Sequence, residues 1–333
     1  MKAYEIRASG IDALKLYDRE IRKPAPGEVL VRVRASSINY RDYLNVLDPV
    51  GRGIAMPRTP NSDGAGEVVE VGSGVSRFTP GDRVMGTFFQ CWIGGGISSD
   101  AMASALGGAL DGVLAEYVVL NEHGLVAMPP HLTFQEASTL PCAALTAWHS
   151  LVEMGGLKAG QIVLLLGTGG VSIMALQFAV MSGARVIITS SSDEKLARAK
   201  AMGAWQTINY RTQPDWEKPV LDMTGGRGVD HVVEVGGAGT VQRSVAAVRV
   251  GGTIAMIGVL TEGTLNATAV MRKSIRLQGI YVGSRSMFEN MNKAIAAHEM
   301  RPVVDRIFPL EEARAAFHCM GEAGHFGKIV VTV

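Results

Sequence analysis

Over roughly the first 120 positions, apolar and polar residues alternate in short runs: VLVRVRAS (29 to 36), GEVVEVG (66 to 72), GDRVMG (81 to 86) and LAEYVVL (114 to 120), separated by Gly, Pro and Asp turns. A period of two in β-branched residues predicts half-buried strands, and their close spacing predicts a small barrel or sandwich. Residues 88 to 112, with a GGG tract and an alanine-rich middle, show no period and read as a long surface excursion.

After Pro129-Pro130 the pattern changes. Apolar runs IVLLLG (162 to 167), RVIIT (185 to 189), QTINY (206 to 210), HVVEVGG (231 to 237) and TIAMIG (253 to 258) are spaced by helical stretches. Near-continuous apolar strands alternating with helices predict an α/β, doubly wound parallel sheet covered on both faces. From about Ser284 follow a helical MFENMNKAIAAHEM, a β segment around RIFPL, a helix from Glu311 and a strand GKIVVTV. That tail is too small to stand alone, so it is expected to complete the first domain, with residues 126–285 inserted between 1–125 and 286–333.

The stretch Ala159 to Ala184 carries no charge and is long enough to span ~30 Å of hydrocarbon. Its middle is LLLGTGGVS, which predicts strand, turn and buried helix rather than a membrane span. The N-terminal MKAYEIRASG has no apolar signal region. With 47% hydrophobic residues, 40 glycines and 32 basic against 31 acidic residues, the chain reads as packed and nearly neutral. No basic run offers a nucleic-acid surface, so a small molecule is the expected partner. Three scattered cysteines, Cys91, Cys142 and Cys319, read as reduced thiols in a cytoplasmic protein.

The strongest chemical signal is GTGGVS, Gly167 to Ser172, between a strand and a helix. Gly167 permits a tight turn, Gly169 lets the backbone approach a pyrophosphate, and Thr168, Gly170 and Val171 complete the loop that opens onto the helix N-terminus. Ser172 stands at the third fingerprint position and is small enough for close strand–helix packing. The following helix shows one apolar face, Val171, Met174, Ala175, Phe178 and Ala179. Dinucleotide binding is the expected role; a purely structural turn is the alternative.

Selectivity for NAD usually rests on Asp or Glu at the end of the second strand, where it accepts from the ribose 2′-OH. Here that place holds Ser190, Ser191 and Ser192. Neutral hydroxyls, with Lys195 on the next helix and Tyr210 after the third strand, predict NADP(H) in preference to NAD(H), with NAD still possible. Asp193 is read as a helix N-cap or first-turn acid.

Taken with GEVLVRV, SDGAGEVVEVGSGV, GDRV, LPCAALTAW and HFGKIVV, the chain resembles the medium-chain dehydrogenase/reductase superfamily over nearly its whole length. It is most similar to the zinc-independent alcohol dehydrogenase and quinone oxidoreductase branches. The resemblance implies a GroES-like β-rich catalytic domain, a Rossmann domain, hydride transfer from a nicotinamide and a homodimer or homotetramer. Zinc-using relatives hold their catalytic metal with a Cys, a His-Glu pair and a second Cys; the matching positions here are Asn39, Ser62-Asp63 and Cys142. One thiol among them is too little for tight Zn²⁺ binding, so no metal is expected and Cys142 reads as a small buried residue.

Without a metal, SSINYRDYLN offers Asn39, Tyr40, Arg41 and Asp42 as catalytic candidates; Arg41 or Tyr40 could donate to a developing oxyanion, or Arg41 and Asp42 could simply pair. The resemblance also places Thr146, Gly236, Gly237, Ile257, Gly258, Gly283, His325, Gly327 and Lys328 near the cofactor. The expected activity is NADP(H)-dependent reduction of a quinone or α,β-unsaturated carbonyl in the interdomain cleft. Alcohol–aldehyde interconversion and non-catalytic dinucleotide binding are the alternatives.

Overall fold

The computed structural model describes residues 1–333. The chain forms two compact units, Met1–Leu145 with Val282–Val333, and Thr146–Tyr281. The second is inserted into the first. Residues 126–145, expected in the inserted domain, belong to the first unit.

The first unit begins with β1 (Lys2–Glu5) and β2 (Lys15–Asp18), an antiparallel pair, then β3 (Glu28–Ile38), β4 (Asp63–Val71), β5 (Arg83–Gly86), β6 (Tyr117–Asn121) and β7 (Leu125–Ala127). The second supplies β8 (Ile162–Leu165), β9 (Arg185–Ser190), β10 (Gln206–Asn209), β11 (Val229–Glu234), β12 (Val248–Met256) and β13 (Arg276–Gly279). The chain then returns with β14 (Val304–Pro309) and β15 (Lys328–Thr332).

In the first unit a seven-stranded sheet runs β14-β15-β3-β4-β5-β7, with β6 also on β3. The returning tail is integral: β15 pairs antiparallel with β3 in the register Ile329↔Ile38, which sets Lys328 opposite Asn39. Alternation on β3 and β4 turns Val29, Val31 and Val68 inward with Phe78, Val84, Leu120 and Leu125, all buried. A second core lies under the helix Ala313–Gly321, where Phe317 joins Ile38, Val46, Leu114 and Ile329. Burying a Phe or Leu side chain of this kind contributes about 1.5–3 kcal/mol.

Residues 88 to 112 are the surface excursion expected only in their middle, 93–100, which is exposed. Phe88, Phe89, Trp92, Ala105 and Leu106 are buried, and the segment doubles back with Leu106 N–H donating to Phe88 O at 3.0 Å. Aromatic residues anchor what glycine and alanine made look unstructured.

The second unit is a six-stranded parallel sheet in the order β10-β9-β8-β11-β12-β13, with the order reversing beside β8. β8 and β11 are buried at every position, as strands covered on both faces must be. The uncharged stretch resolves into β8, a turn and the helix Gly170–Met181, and no helix is long and apolar enough to cross a membrane. That helix is buried beyond its expected stripe: Ile173 and Leu176 are buried too, while Val171 is only half-buried. Phe178 meets Trp148 edge-on with centroids 5.4 Å apart.

Candidate active site

In the second unit the carboxyl ends of the parallel strands gather most of the expected cofactor residues along one edge. Gly167 has φ 73° and Gly169 opens the helix as its N-cap. A Cβ built on either would meet nothing within 4 Å. Steric room at Gly169, next to unpaired helix N–H groups, is what the approach of a pyrophosphate requires. Ser172 explains itself: its Oγ donates to Leu166 O at 2.7 Å, pinning the helix to the end of β8. Gly167 N–H in turn donates to Thr189 Oγ1 at 3.2 Å, joining the turn to β9.

Ser190 closes β9 and is buried, its Oγ accepting the Ser192 N–H at 3.3 Å. Ser192 is the N-cap of the helix Asp193–Ala201, accepting from Lys195 N–H at 3.3 Å, so Asp193 is the first-turn acid and not the cap. Its carboxylate accepts from Asn209 Nδ2 at 2.7 Å. Ser191 lies half-exposed between the two bonded serines. Tyr210 N–H donates to Ser190 O at 3.0 Å, which puts the exposed tyrosine beside the serine turn.

Gly236 and Gly237 follow β11, and Ile257 and Gly258 follow β12, the last two donating to Glu234 O at 3.0 and 2.9 Å. The sequence reading missed the residue that shapes this corner. Glu234 is wholly buried, and its carboxylate accepts from Gly236 N–H (2.9 Å), Gly237 N–H (3.1 Å) and the Thr240 (2.6 Å) and Ser244 hydroxyls. An acid in an otherwise apolar strand, VVEVGG, is the signal that could have found it. Thr146 is buried in the helix Leu145–Trp148, its carbonyl accepting from Ser150 Oγ at 2.7 Å.

The remaining cofactor candidates lie in the first unit. Gly283 packs under Leu145, whose Cγ would stand 2.8 Å from an added Cβ, and Gly327 has φ 88° against Val303. His325 is half-buried. Lys328, expected to approach the cofactor, is 2% exposed and turned into the unit. Its ammonium donates to Asn39 Oδ1 at 2.6 Å and Ile38 O at 2.8 Å, and stands 4.0 Å from Asp63 Oδ2.

Around that ammonium the fold gathers all four positions that match zinc ligands in relatives. Asn39 Nδ2 donates to Ser62 Oγ at 3.3 Å, Ser62 Oγ donates to Asp63 Oδ1 at 2.7 Å, and Cys142 N–H donates to Asp63 Oδ2 at 3.2 Å. Burial pushes the Asp63 carboxyl up, against the Lys328 charge and these donors. Burial first, and the Asp63 charge second, push the Cys142 thiol up as well. A protonated thiol, a hydroxyl, an amide and a carboxylate facing an ammonium do not fit Zn²⁺, which needs deprotonated thiolate or neutral imidazole donors and no cation in their midst.

Of the catalytic candidates, Asn39 is 8% exposed and precedes the helix Tyr40–Leu47. Arg41 and Asp42 pair at 3.3 Å; Arg41 also donates to Leu106 O at 2.5 Å and lies 4.6 Å from the Phe88 ring centroid. Its guanidinium therefore holds the returning segment to the helix. Asp42 is wholly buried, accepting Asn39 N–H at 3.0 Å. Burial, with a contribution from Asp63, raises its carboxyl to about 6 despite Arg41. Tyr40 is exposed, its ring tilted against Tyr43 with centroids 5.7 Å apart.

A GroES-like sheet that keeps a buried polar site, interrupted by a Rossmann sheet with an open glycine turn, defines a two-domain nicotinamide oxidoreductase. Residues 25–130 match the alcohol dehydrogenase GroES-like domain and residues 170–297 the zinc-binding dehydrogenase domain. The chain belongs to the medium-chain dehydrogenase/reductase superfamily. It is 45% identical to a zinc-type alcohol dehydrogenase-like protein of Schizosaccharomyces pombe, over 98% of this chain and 96% of that one. A solved NAD-dependent alcohol dehydrogenase superposes with TM-score 0.91 at 35% identity, covering 100% of both chains. A 2-octenoyl-CoA carboxylase reductase, solved with NADP and 2-octenoyl-CoA, superposes with TM-score 0.89 at 26% identity, covering 99% of this chain and 87% of that one.

Proposed function

We propose that this oxidoreductase uses NADPH to reduce an electron-poor acceptor, a quinone or an α,β-unsaturated carbonyl compound, without a catalytic metal. The observation that carries the reading is the cluster of Asn39, Ser62, Asp63 and Cys142 closed around the Lys328 ammonium, where a zinc enzyme needs N and S donors. Bound NADPH would supply a hydride from its nicotinamide ring. The chain's part is to hold the dinucleotide on the Gly167–Val171 turn and the Gly236-Gly237 corner, and to meet the negative charge that builds on the acceptor oxygen.

Preference for the phosphorylated cofactor is supported by Ser190 and Ser191, which place no anion at the end of β9, with Lys195 and Tyr210 beside them. The solved relative with NADP and an enoyl thioester supports both halves of the proposal; the NAD-dependent alcohol dehydrogenase supports the second reading, alcohol oxidation with NAD(P)⁺. We extend the proposal to a homodimer or homotetramer, to be checked by light scattering.

NADPH oxidation is followed at 340 nm against quinones, enones, enoyl thioesters and aldehydes after dialysis against a chelator. Turnover of the conjugated acceptors, unchanged by the chelator, is expected. Turnover confined to aldehydes and alcohols supports the second reading, and tight NADPH binding with no turnover makes the chain a dinucleotide-binding protein. Ser190→Asp should lower the NADPH-to-NADH affinity ratio by about 100-fold, since facing like charges costs several kcal/mol.

A further inference from the structure

Lys328 and Asn39 are 289 residues apart in sequence and bonded in the fold. Antiparallel pairing of β15 with β3 brings them opposite each other. A lysine ammonium has three donors and no acceptor, so it can face only the oxygen of an amide. The 2.6 Å contact therefore fixes which way the Asn39 carboxamide points, with Oδ1 toward Lys328 and Nδ2 away from it. One Nδ2–H is directed at Ser62 Oγ at 3.3 Å, and Ser62 passes its own proton toward Asp63 Oδ1 at 2.7 Å. The Asp63 carboxylate, 4.0 Å from the ammonium, completes the circuit.

We propose that Lys328 is a positioning residue, whose ammonium orients and polarises the Asn39 carboxamide so that its second Nδ2–H is the donor for the acceptor oxygen during hydride transfer. The assignment rests on the proposed reduction of a conjugated carbonyl or quinone. Withdrawing electron density from Oδ1 makes the amide N–H a stronger donor, as in any hydrogen-bond chain at low dielectric. A donor held in place before negative charge appears on the substrate is the arrangement that lowers the barrier. Asn39 can serve because it is the member of the circuit at the end of β3 that keeps some exposure, 8%, whereas Ser62, Asp63 and Lys328 are at 0%, 0% and 2%. Lys328 thereby takes the electrostatic place of a metal without offering an open coordination site, and it is not a ligand of the cofactor.

The test compares the full-length protein with Lys328→Met and Lys328→Arg. Expected for Lys328→Met are an NADPH Kd within about threefold of the parent, a kcat lower by about 100-fold and a KM that moves far less. Lys328→Arg should recover part of kcat because it keeps a donor-only cation. A tenfold weaker NADPH Kd with kcat unchanged would overturn the proposal and make Lys328 a cofactor ligand; no change in either would also overturn it. Should Lys328→Met not fold, Lys328→Arg carries the same split, since its planar fork displaces the bond to Oδ1. A second readout needs no turnover: the Asn39 side-chain ¹⁵N amide resonance, identified by its loss in Asn39→Asp, should shift in Lys328→Arg. An unmoved resonance sinks the proposal, whereas the expected shift in Lys328→Arg, with a parent protein that reduces no acceptor, sinks only the proposed activity.

Discussion

Asp230 in the inserted unit and Asp63 in the first are both buried near a positive charge, and the two are treated in opposite ways. In the inserted unit Asp230 is met by Arg227 and Arg249, both at 2.6 Å, and by the Ile162 N–H at 2.9 Å. Burial alone would raise its carboxyl; these bonds outweigh it and hold the group well below the usual carboxylate range. In the first unit Asp63 has its one cation at 4.0 Å and otherwise neutral donors, and its carboxyl is pushed up. Asp230 joins the starts of β8 and β11, the sheet edge opposite the glycine turns. A fully compensated charge acts as a staple, whereas one left short of compensation stores electrostatic potential that chemistry can use.

Breaking the staple should give the largest effect. Asp230→Ala leaves two guanidinium groups without their carboxylate and the Ile162 N–H without an acceptor. We expect a loss of about 2–4 kcal/mol, reaching below the usual range for a broken buried pair because Arg227 keeps much of its hydration. Urea unfolding measures it, and the Kd for NADPH of the folded fraction should stay within twofold. A stability change below about 0.5 kcal/mol would erase the contrast between the two sites.

Asp63→Asn should do the reverse. The side chain keeps an oxygen for Ser62 or the Cys142 N–H and loses a charge that burial disfavours, so unfolding free energy should move by less than about 1 kcal/mol in either direction. Activity, however, should fall by about 10- to 100-fold, because the circuit that aligns Asn39 through Ser62 loses its anion. Steady-state kinetics beside a urea curve on the same preparation separates the two quantities. A variant that is as active as the parent would make Asp63 a second structural staple.

The contrast itself could not be read from the sequence, although the layers that create it could. Near-continuous apolar runs such as IVLLLG and the spacing of GTGGVS carry the doubly wound sheet, because a strand covered on both faces has no other way to be written. β13, RLQG, has two polar residues in four and was missed, since an edge strand needs no apolar run. Lys328 stands at the head of an apolar strand, where a lysine is ordinarily exposed; only the pairing of β15 with β3 turns it onto Asn39. Arg41 and Asp42 show the same limit from the other side. Their types suggested chemistry, while their partners, Leu106 O, Phe88 and the Asn39 N–H, came from pairings that local pattern does not encode.

The smallest net effect in the parent protein concerns pH, and here the units again oppose each other. Burial raises Asp42 from 3.8 to about 6, so its native site favours the neutral acid. The stability this confers is complete below about pH 4 and is lost as pH rises toward 6. Burial lowers His231, hydrogen-bonded to Gln161, from 6.5 to about 4, which favours neutral imidazole. That stability is complete above about pH 6.5 and is lost as pH falls toward 4. Between pH 4 and 6 the two slopes have opposite sign, each at most about 1.4 kcal/mol per pH unit, and the parent protein should show little net contribution from this pair. Asp42→Asn leaves the histidine unopposed, so the melting temperature of that variant relative to the parent should climb from pH 4 to 6. His231→Gln should decline relative to the parent over the same interval. Parallel curves for parent and Asp42→Asn would mean that Arg41 compensates Asp42 fully, placing it with Asp230 rather than with Asp63.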